Sequence, residues 1–186
     1  RSFDPSEHAE RVLRESARVK QLVAESEAPR VSRVAARITE IFRAGGKALL
    51  LGNGGSASDA QHIAAEWTGR LLSDRPPLPA IALTANTSDL TAIGNDYGFE
   101  RVFARLVEAH GREGDVLLAL STSGNSPNVL AAVDQARRCG IFVVAFTGKG
   151  GGELAEKAEV AFVVPSDETG RIQESHIALL HAICEV

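Results

Sequence analysis

Nine residues from Leu120 to Asn128, reading Leu-Ser-Thr-Ser-Gly-Asn-Ser-Pro-Asn, carry the densest chemistry in the chain. They follow the apolar run from Val116 to Leu120 and lead into a helix-like segment, 128–138. A strand that ends in small hydroxyl residues and opens a helix makes a pocket for an anion. The first N–H groups of the helix have no internal partner, and its dipole favours negative charge. Ser121, Thr122, Ser123 and Ser126 add O–H donors. The loop has no lysine, so it is not the nucleotide loop GxxxxGK[ST]. It suits a compact phosphate monoester such as a sugar phosphate. The alternative is a Ser/Gly turn that only caps a helix.

A second loop follows an earlier apolar run: Gly52-Asn53-Gly54-Gly55-Ser56-Ala57-Ser58-Asp59. Its glycines let backbone approach a ligand closely. Ser58 stands where a dinucleotide fingerprint needs its third glycine, and no acidic residue ends the next strand, so a nicotinamide cofactor is disfavoured. Just downstream, His62 and Glu66 are spaced i, i+4 and share a helix face. They could ligate a divalent metal, act as an acid–base couple, or form a solvated surface pair. Near the C-terminus, Gln173, Glu174 and His176 precede the apolar Ile177, Leu179, Leu180 and Ile183, with His181 among them. A core histidine is the ordinary reading of His181. On a regular helix Gln173 and His181 stand about 12 Å apart, so one site using both needs convergence from two sides or from two subunits. Asn95 and Asp96 open the turn Asn-Asp-Tyr-Gly, suited either to chain reversal or to hydroxyl recognition.

The elements that must position these residues alternate. Strands are expected at 47–51, 80–84, 115–120, 141–146 and 160–164, and helices at 59–72, 99–107, 128–138 and 173–186. Two amphipathic helices, 5–24 and 29–44, come first, the second stopped by Gly45-Gly46. The short polar segment 86–94 is assigned to no helix or strand, and 148–152 is read as a loop with a short helical turn after it. Near-continuous apolar strands alternating with helices indicate an α/β fold, a doubly wound parallel sheet of five strands with an N-terminal helical pair. Ligands of such sheets bind beyond the carboxyl ends of the strands. The first helix is expected to pack on its own domain or on a second subunit.

With 186 residues, a 44% apolar fraction and 24% charged residues, the chain is expected to form one domain, 1–186, with helices in 1–44 and an α/β core in 45–186. The formal charge of −4 and the lack of a basic tract give nucleic-acid binding no support. No signal-peptide pattern and no membrane-length apolar run stand out. Cys139 and Cys184 read as reduced, packed thiols, which suits the cytoplasm. The chain begins at Arg1 and has no Met, so its natural N-terminus is expected to be trimmed.

Taken together, the block from Gly52 to His62, that from Leu90 to Gly98, that from Ser121 to Ser126, and Arg171-Ile172-Gln173-Glu174-Ser175-His176 resemble the phosphoheptose isomerases of the sugar isomerase (SIS) family. The resemblance runs from about Val12 to the last residue. It implies a flavodoxin-like sheet, a homotetramer with the site near a subunit boundary, and conversion of sedoheptulose 7-phosphate to D-glycero-D-manno-heptose 7-phosphate for nucleotide-activated heptose biosynthesis. It implies that Ser121, Thr122, Ser123 and Ser126 hold the phosphate. Asn53, Gly54, Gly55, Ser56, Glu66, Asn95, Asp96 and Gln173 then contact the sugar. His62, Glu66, Gln173 and His181 match zinc ligands, and Glu66 and His181 an acid–base pair.

The chemistry agrees with those residue types. Moving a carbonyl between neighbouring carbons needs a proton taken from one carbon and returned to the other, with the enediolate oxygens stabilised. A carboxylate bound tightly to zinc is a poor base, so one tie to Glu66 must loosen during turnover. The alternative is a non-catalytic SIS adaptor resembling the protein that associates with the DnaA replication initiator. The presence of all four of His62, Glu66, Gln173 and His181 favours the isomerase. A sugar-phosphate-sensing regulator would carry a DNA-binding head, and an amidotransferase domain a glutaminase partner. Neither is expected here.

Overall fold

The computed structural model describes residues 3–186. The chain opens with α1 (Pro5–Arg43), then runs β1 (Ala48–Leu51), α2 (Gly55–Thr68), β2 (Ala80–Ala82) and α3 (Thr87–Tyr97). A 3₁₀ turn (Phe99–Arg101) leads into α4 (Val102–His110), followed by β3 (Val116–Ser121), α5 (Pro127–Arg138) and β4 (Phe142–Thr147). The last elements are α6 (Gly152–Lys157), β5 (Val160–Val163) and α7 (Thr169–Glu185).

All five strands are parallel, in the order β2-β1-β3-β4-β5. This is the flavodoxin-like order, and its switch point lies between β1 and β3. The alternation of side chains along each strand feeds two cores. Leu50, Leu118, Val144 and Phe146 pack under α1, α2 and α7 with Ile38, Ile63, Trp67 and Leu180. Leu49, Leu51, Leu117 and Val143 pack on the other face with Phe103, Val107, Val129 and Val133. The starts of β1 and β3 are joined by Asp115, whose buried carboxylate accepts Lys47 N (2.9 Å), Lys47 Nζ (2.6 Å) and Arg112 N (2.8 Å).

Three expectations are corrected here. The N-terminal pair is one helix of 39 residues that runs through Pro29. Proline removes one hydrogen bond and crowds the preceding turn, but Val19, Val23, Val31, Val34 and Ile38 form one continuous buried stripe across it. Packing along α7 outweighs the local break. The segment assigned to no element is α3, whose N-terminus is capped by Asn86 accepting from Ser88 N (3.1 Å) and Asp89 N (3.3 Å). The helix absorbs Asn95 and Asp96, so no turn begins there. It has no buried residue, and the apolar period that reveals other helices is therefore weak. Finally, α2 starts at Gly55 rather than residue 59, and α7 at Thr169 rather than 173, so both loops hand over to helix earlier than expected. Among the described residues no helix is long and apolar enough to cross a membrane, and both cysteines are free and half-buried.

Candidate active site

β1 and β3, the strands at the switch point, release the two loops side by side. After β1, Gly54 takes a positive φ of 55° and turns the chain into α2, where Ser56 N donates to Asn53 O at 3.0 Å. Ser56 is buried. Asn53 and Asn128 exchange two amide hydrogen bonds, both 2.9 Å, which staple the glycine loop to the first turn of α5. Asn128 has no motif of its own in the sequence beyond its place in the first turn of the helix that follows the serine loop.

After β3, the hydroxyls converge. Ser121 Oγ lies 3.0 Å from Ser126 Oγ and 3.4 Å from Ser123 Oγ. No side chain caps α5; Pro127 has no N–H and Val129 N donates to Ser126 O (3.0 Å), so in its first turn Asn128 N is the open donor beside those hydroxyls. The β4–α6 segment clasps this loop. Gly148 N donates to Thr122 O (3.2 Å), Leu154 N to Gly124 O (2.9 Å) and Glu153 N to Asn125 Oδ1 (3.0 Å). Gly124 has a φ of 68°, and an added Cβ would overlap the carbonyl of Gly151. A cavity of about 300 Å³ opens between the loops, lined by Asn53, Phe99, Glu100, Ser126, Pro127 and Asn128. Phe99 and Glu100 enter it from the 3₁₀ turn, a contribution with no sequence signal. Asn95 and Asp96 do not line it; both are exposed, and Asn95 Nδ2 donates to Asp96 Oδ1 at 2.9 Å.

The second centre lies between α2 and α7. Nε2 of His62 is 3.1 Å from Glu66 Oε1 and 3.2 Å from His181 Nε2. One ligand atom from each of the three residues falls within 4.8 Å of the others. Two ligands of a tetrahedral zinc ion at ordinary bond lengths sit about 3.3 Å apart, so the side chains already hold the spacing of such a site. The donor set, two imidazoles and a carboxylate, also suits a borderline divalent ion. Gln173 packs its amide against Gly55, where a Cβ would collide with it. It therefore stands at the loop end of the α2–α7 groove, while the cluster lies two turns further along. The two histidines of α7 differ in their surroundings. His181 faces the groove, and His176 is the core residue, fully buried with Nε2 donating to Thr147 O at 3.0 Å. Burial lowers the His176 imidazole to about 4, the Thr147 hydrogen bond opposing. Burial also pushes the Cys184 thiol up to about 12.

A parallel sheet with this strand order, two polar loops at its switch point and a helix-borne His/Glu/His cluster define a sugar-isomerase domain. The chain belongs to the SIS domain family, whose model matches residues 13–148. It is 57% identical to the phosphoheptose isomerase of Rhodospirillum rubrum over 157 residues, 84% of each chain. It is 52% identical to that of Aquifex aeolicus, covering 97% of this chain and 94% of the relative. The solved phosphoheptose isomerase of Neisseria gonorrhoeae superposes with a TM-score of 0.93 at 45% identity, covering 98% of this chain and 97% of that one. Within the family the chain belongs to the phosphoheptose isomerases, and it is accordingly an isomerase rather than an adaptor.

Proposed function

We propose that the chain, working over 1–186 as one SIS domain, interconverts sedoheptulose 7-phosphate and D-glycero-D-manno-heptose 7-phosphate. The convergence of His62 and Glu66 from α2 with His181 from α7 carries this reading. Those side chains supply the acid–base and ligand types that the isomerisation requires.

In this mechanism the phosphate rests on Ser121, Thr122, Ser123, Ser126 and the open N-terminus of α5. That grip is remote from the reacting carbons and orients them. Asn53, Gly54, Gly55, Ser56 and Gln173 contact the sugar hydroxyls from the glycine loop and the groove; Asn95 and Asp96, exposed and outside the cavity of their own chain, would add contacts only at a neighbouring subunit's site. Glu66 removes the C1 proton of the ketose and delivers one to C2 of the enediolate. His181 exchanges protons with the O1 and O2 oxygens, so no net charge is left on product. Because Glu66 meets His62 through Oε1, Oε2 lies outside that contact and is the oxygen assigned to the carbon proton.

His62, Glu66 and His181 would hold zinc, and Gln173, which in its own chain stands two turns away against Gly55, would join them only across the subunit boundary. When bound, zinc supplies polarisation of the carbonyl and stabilisation of the enediolate.

We also place the site at a subunit boundary of a cytoplasmic homotetramer. His62 lies seven residues along α2 from Gly55, about 10 Å on a regular helix, so one chain's loops and cluster are well separated. Tyr97, Phe99 and Leu13 are exposed on the helical surface, and α3 buries nothing within its own chain. Both features support a covering neighbour.

The test is incubation with sedoheptulose 7-phosphate with and without EDTA, followed by NMR of the sugar. Appearance of the aldose, lost on chelation and restored by zinc, is expected. A zinc-loaded protein that leaves the ketose unchanged would refute the proposal.

A further inference from the structure

Helix α2 ends at Thr68 with no basic residue in its last turn. Its final carbonyls carry the negative end of the helix dipole and need donors from elsewhere. Gly69 N takes Ala65 O at 2.8 Å. The next two carbonyls are gripped by one side chain. Arg75, in the connection to β2, folds back so that Nη2 donates to Glu66 O at 2.9 Å and Nη1 to Trp67 O at 3.0 Å. Its remaining hydrogen bond, to Pro76 O at 3.4 Å, also goes to a main-chain carbonyl. Leu78 N reaches Trp67 O as well, at 2.9 Å, so the connection is tied to the helix end at both residues. Glu66 O has its donor in Arg75 alone beyond the helix. A guanidinium presents its N–H groups as a rigid planar fork. Gripping two successive carbonyls therefore fixes both the axial position and the rotation of that turn. The turn carries Glu66, whose carboxylate meets His62 Nε2 at 3.1 Å.

We propose that Arg75 is a positioning residue for the isomerisation: by capping the last turn of α2 it sets where the Glu66 carboxylate stands against the reacting carbons. Arg75 acts through the main chain of Glu66. The fork matters as well as the charge, because a point cation at the helix end would favour the dipole without fixing the turn. The inference rests on the proposed reading of Glu66 as the base that moves the carbon proton.

The test is steady-state isomerisation of sedoheptulose 7-phosphate by the full chain supplied with zinc, comparing wild type, Arg75→Lys and Arg75→Gln. Amide hydrogen exchange of each protein is followed by mass spectrometry. Arg75→Gln should lower kcat about 10- to 100-fold, the cost of a base displaced by a fraction of an ångström to an ångström. KM should move less than about threefold, since the phosphate is held elsewhere. Arg75→Lys keeps the cation without the fork and should recover only part of the loss. Exchange should quicken in the last turn of α2 and stay unchanged in the five strands. A wild-type kcat in Arg75→Gln would overturn this inference alone. So would full recovery in Arg75→Lys, which would leave no role for the fork, or faster exchange throughout the chain, the mark of a merely structural role. Wild-type protein that leaves the ketose unchanged would overturn the isomerase reading and this inference with it.

Discussion

His176 should make the fold acid-sensitive by a calculable amount. Its ring is fully buried against Phe146, Nε2 donates to Thr147 O, and Nδ1 has no partner. A proton arriving at Nδ1 would therefore put an uncompensated charge under the end of β4. The group titrates at about 4 in the folded chain against an ordinary value of 6.5. Because the folded value is the lower one, the unfolded chain takes the proton first. The stability tied to this histidine is present above about pH 6.5 and drains away as pH falls towards 4. Integrated from pH 7.5 to pH 4.5, the loss is about 2.5 kcal/mol. The perturbation is His176→Gln, which keeps an N–H for the Thr147 carbonyl but does not titrate. Urea unfolding of both proteins across that range is the assay. At pH 7.5 the variant should be less stable by about 1–2 kcal/mol through imperfect packing. By pH 4.5 that order should reverse or vanish, since only the wild type loses the His176 contribution. Parallel stability curves for the two proteins would refute the argument.

Other outcomes follow from the same geometry. Glu66→Gln and His181→Ala should each abolish turnover of sedoheptulose 7-phosphate while circular dichroism stays native; full activity in either would remove the assigned acid–base roles. Ser123→Ala should raise KM about tenfold with kcat little changed, the loss of one hydrogen bond to a charged group, and an unaltered KM would count against the phosphate pocket. Asp115→Ala should cost about 3–5 kcal/mol, because two backbone N–H groups and Lys47 lose a buried partner. Chemical denaturation measures this, and a loss under 1 kcal/mol would contradict the network.

How much of this was legible beforehand depended on periodicity. The five strands read clearly because runs such as Val116–Leu120 are apolar on both faces, as a doubly covered sheet demands. The break expected at Pro29 failed because a local rule was applied where a long-range one governs: the stripe from Val19 to Ile38 is specified by α7, far away in sequence. The surface helix α3 was invisible for the opposite reason, having no buried stripe to announce it. Within the site, residue types and the i, i+4 spacing pointed to His62 and Glu66, but only the packing of α7 on α2 could bring His181 to them. The Asn53–Asn128 exchange and the entry of Phe99 and Glu100 depend on loops meeting across the sheet edge, which spacing along the chain does not encode.

The contact between Gly124 and Gly151 leaves the hydroxyl-lined turn with no slack. Its backbone cannot swell to admit a bulkier anion unless the neighbouring segment is rebuilt at the same time. Adaptation to a different sugar phosphate would therefore proceed by exchanging side chains on an unchanged frame, and mutational searches confined to position 124 should return only the parent residue.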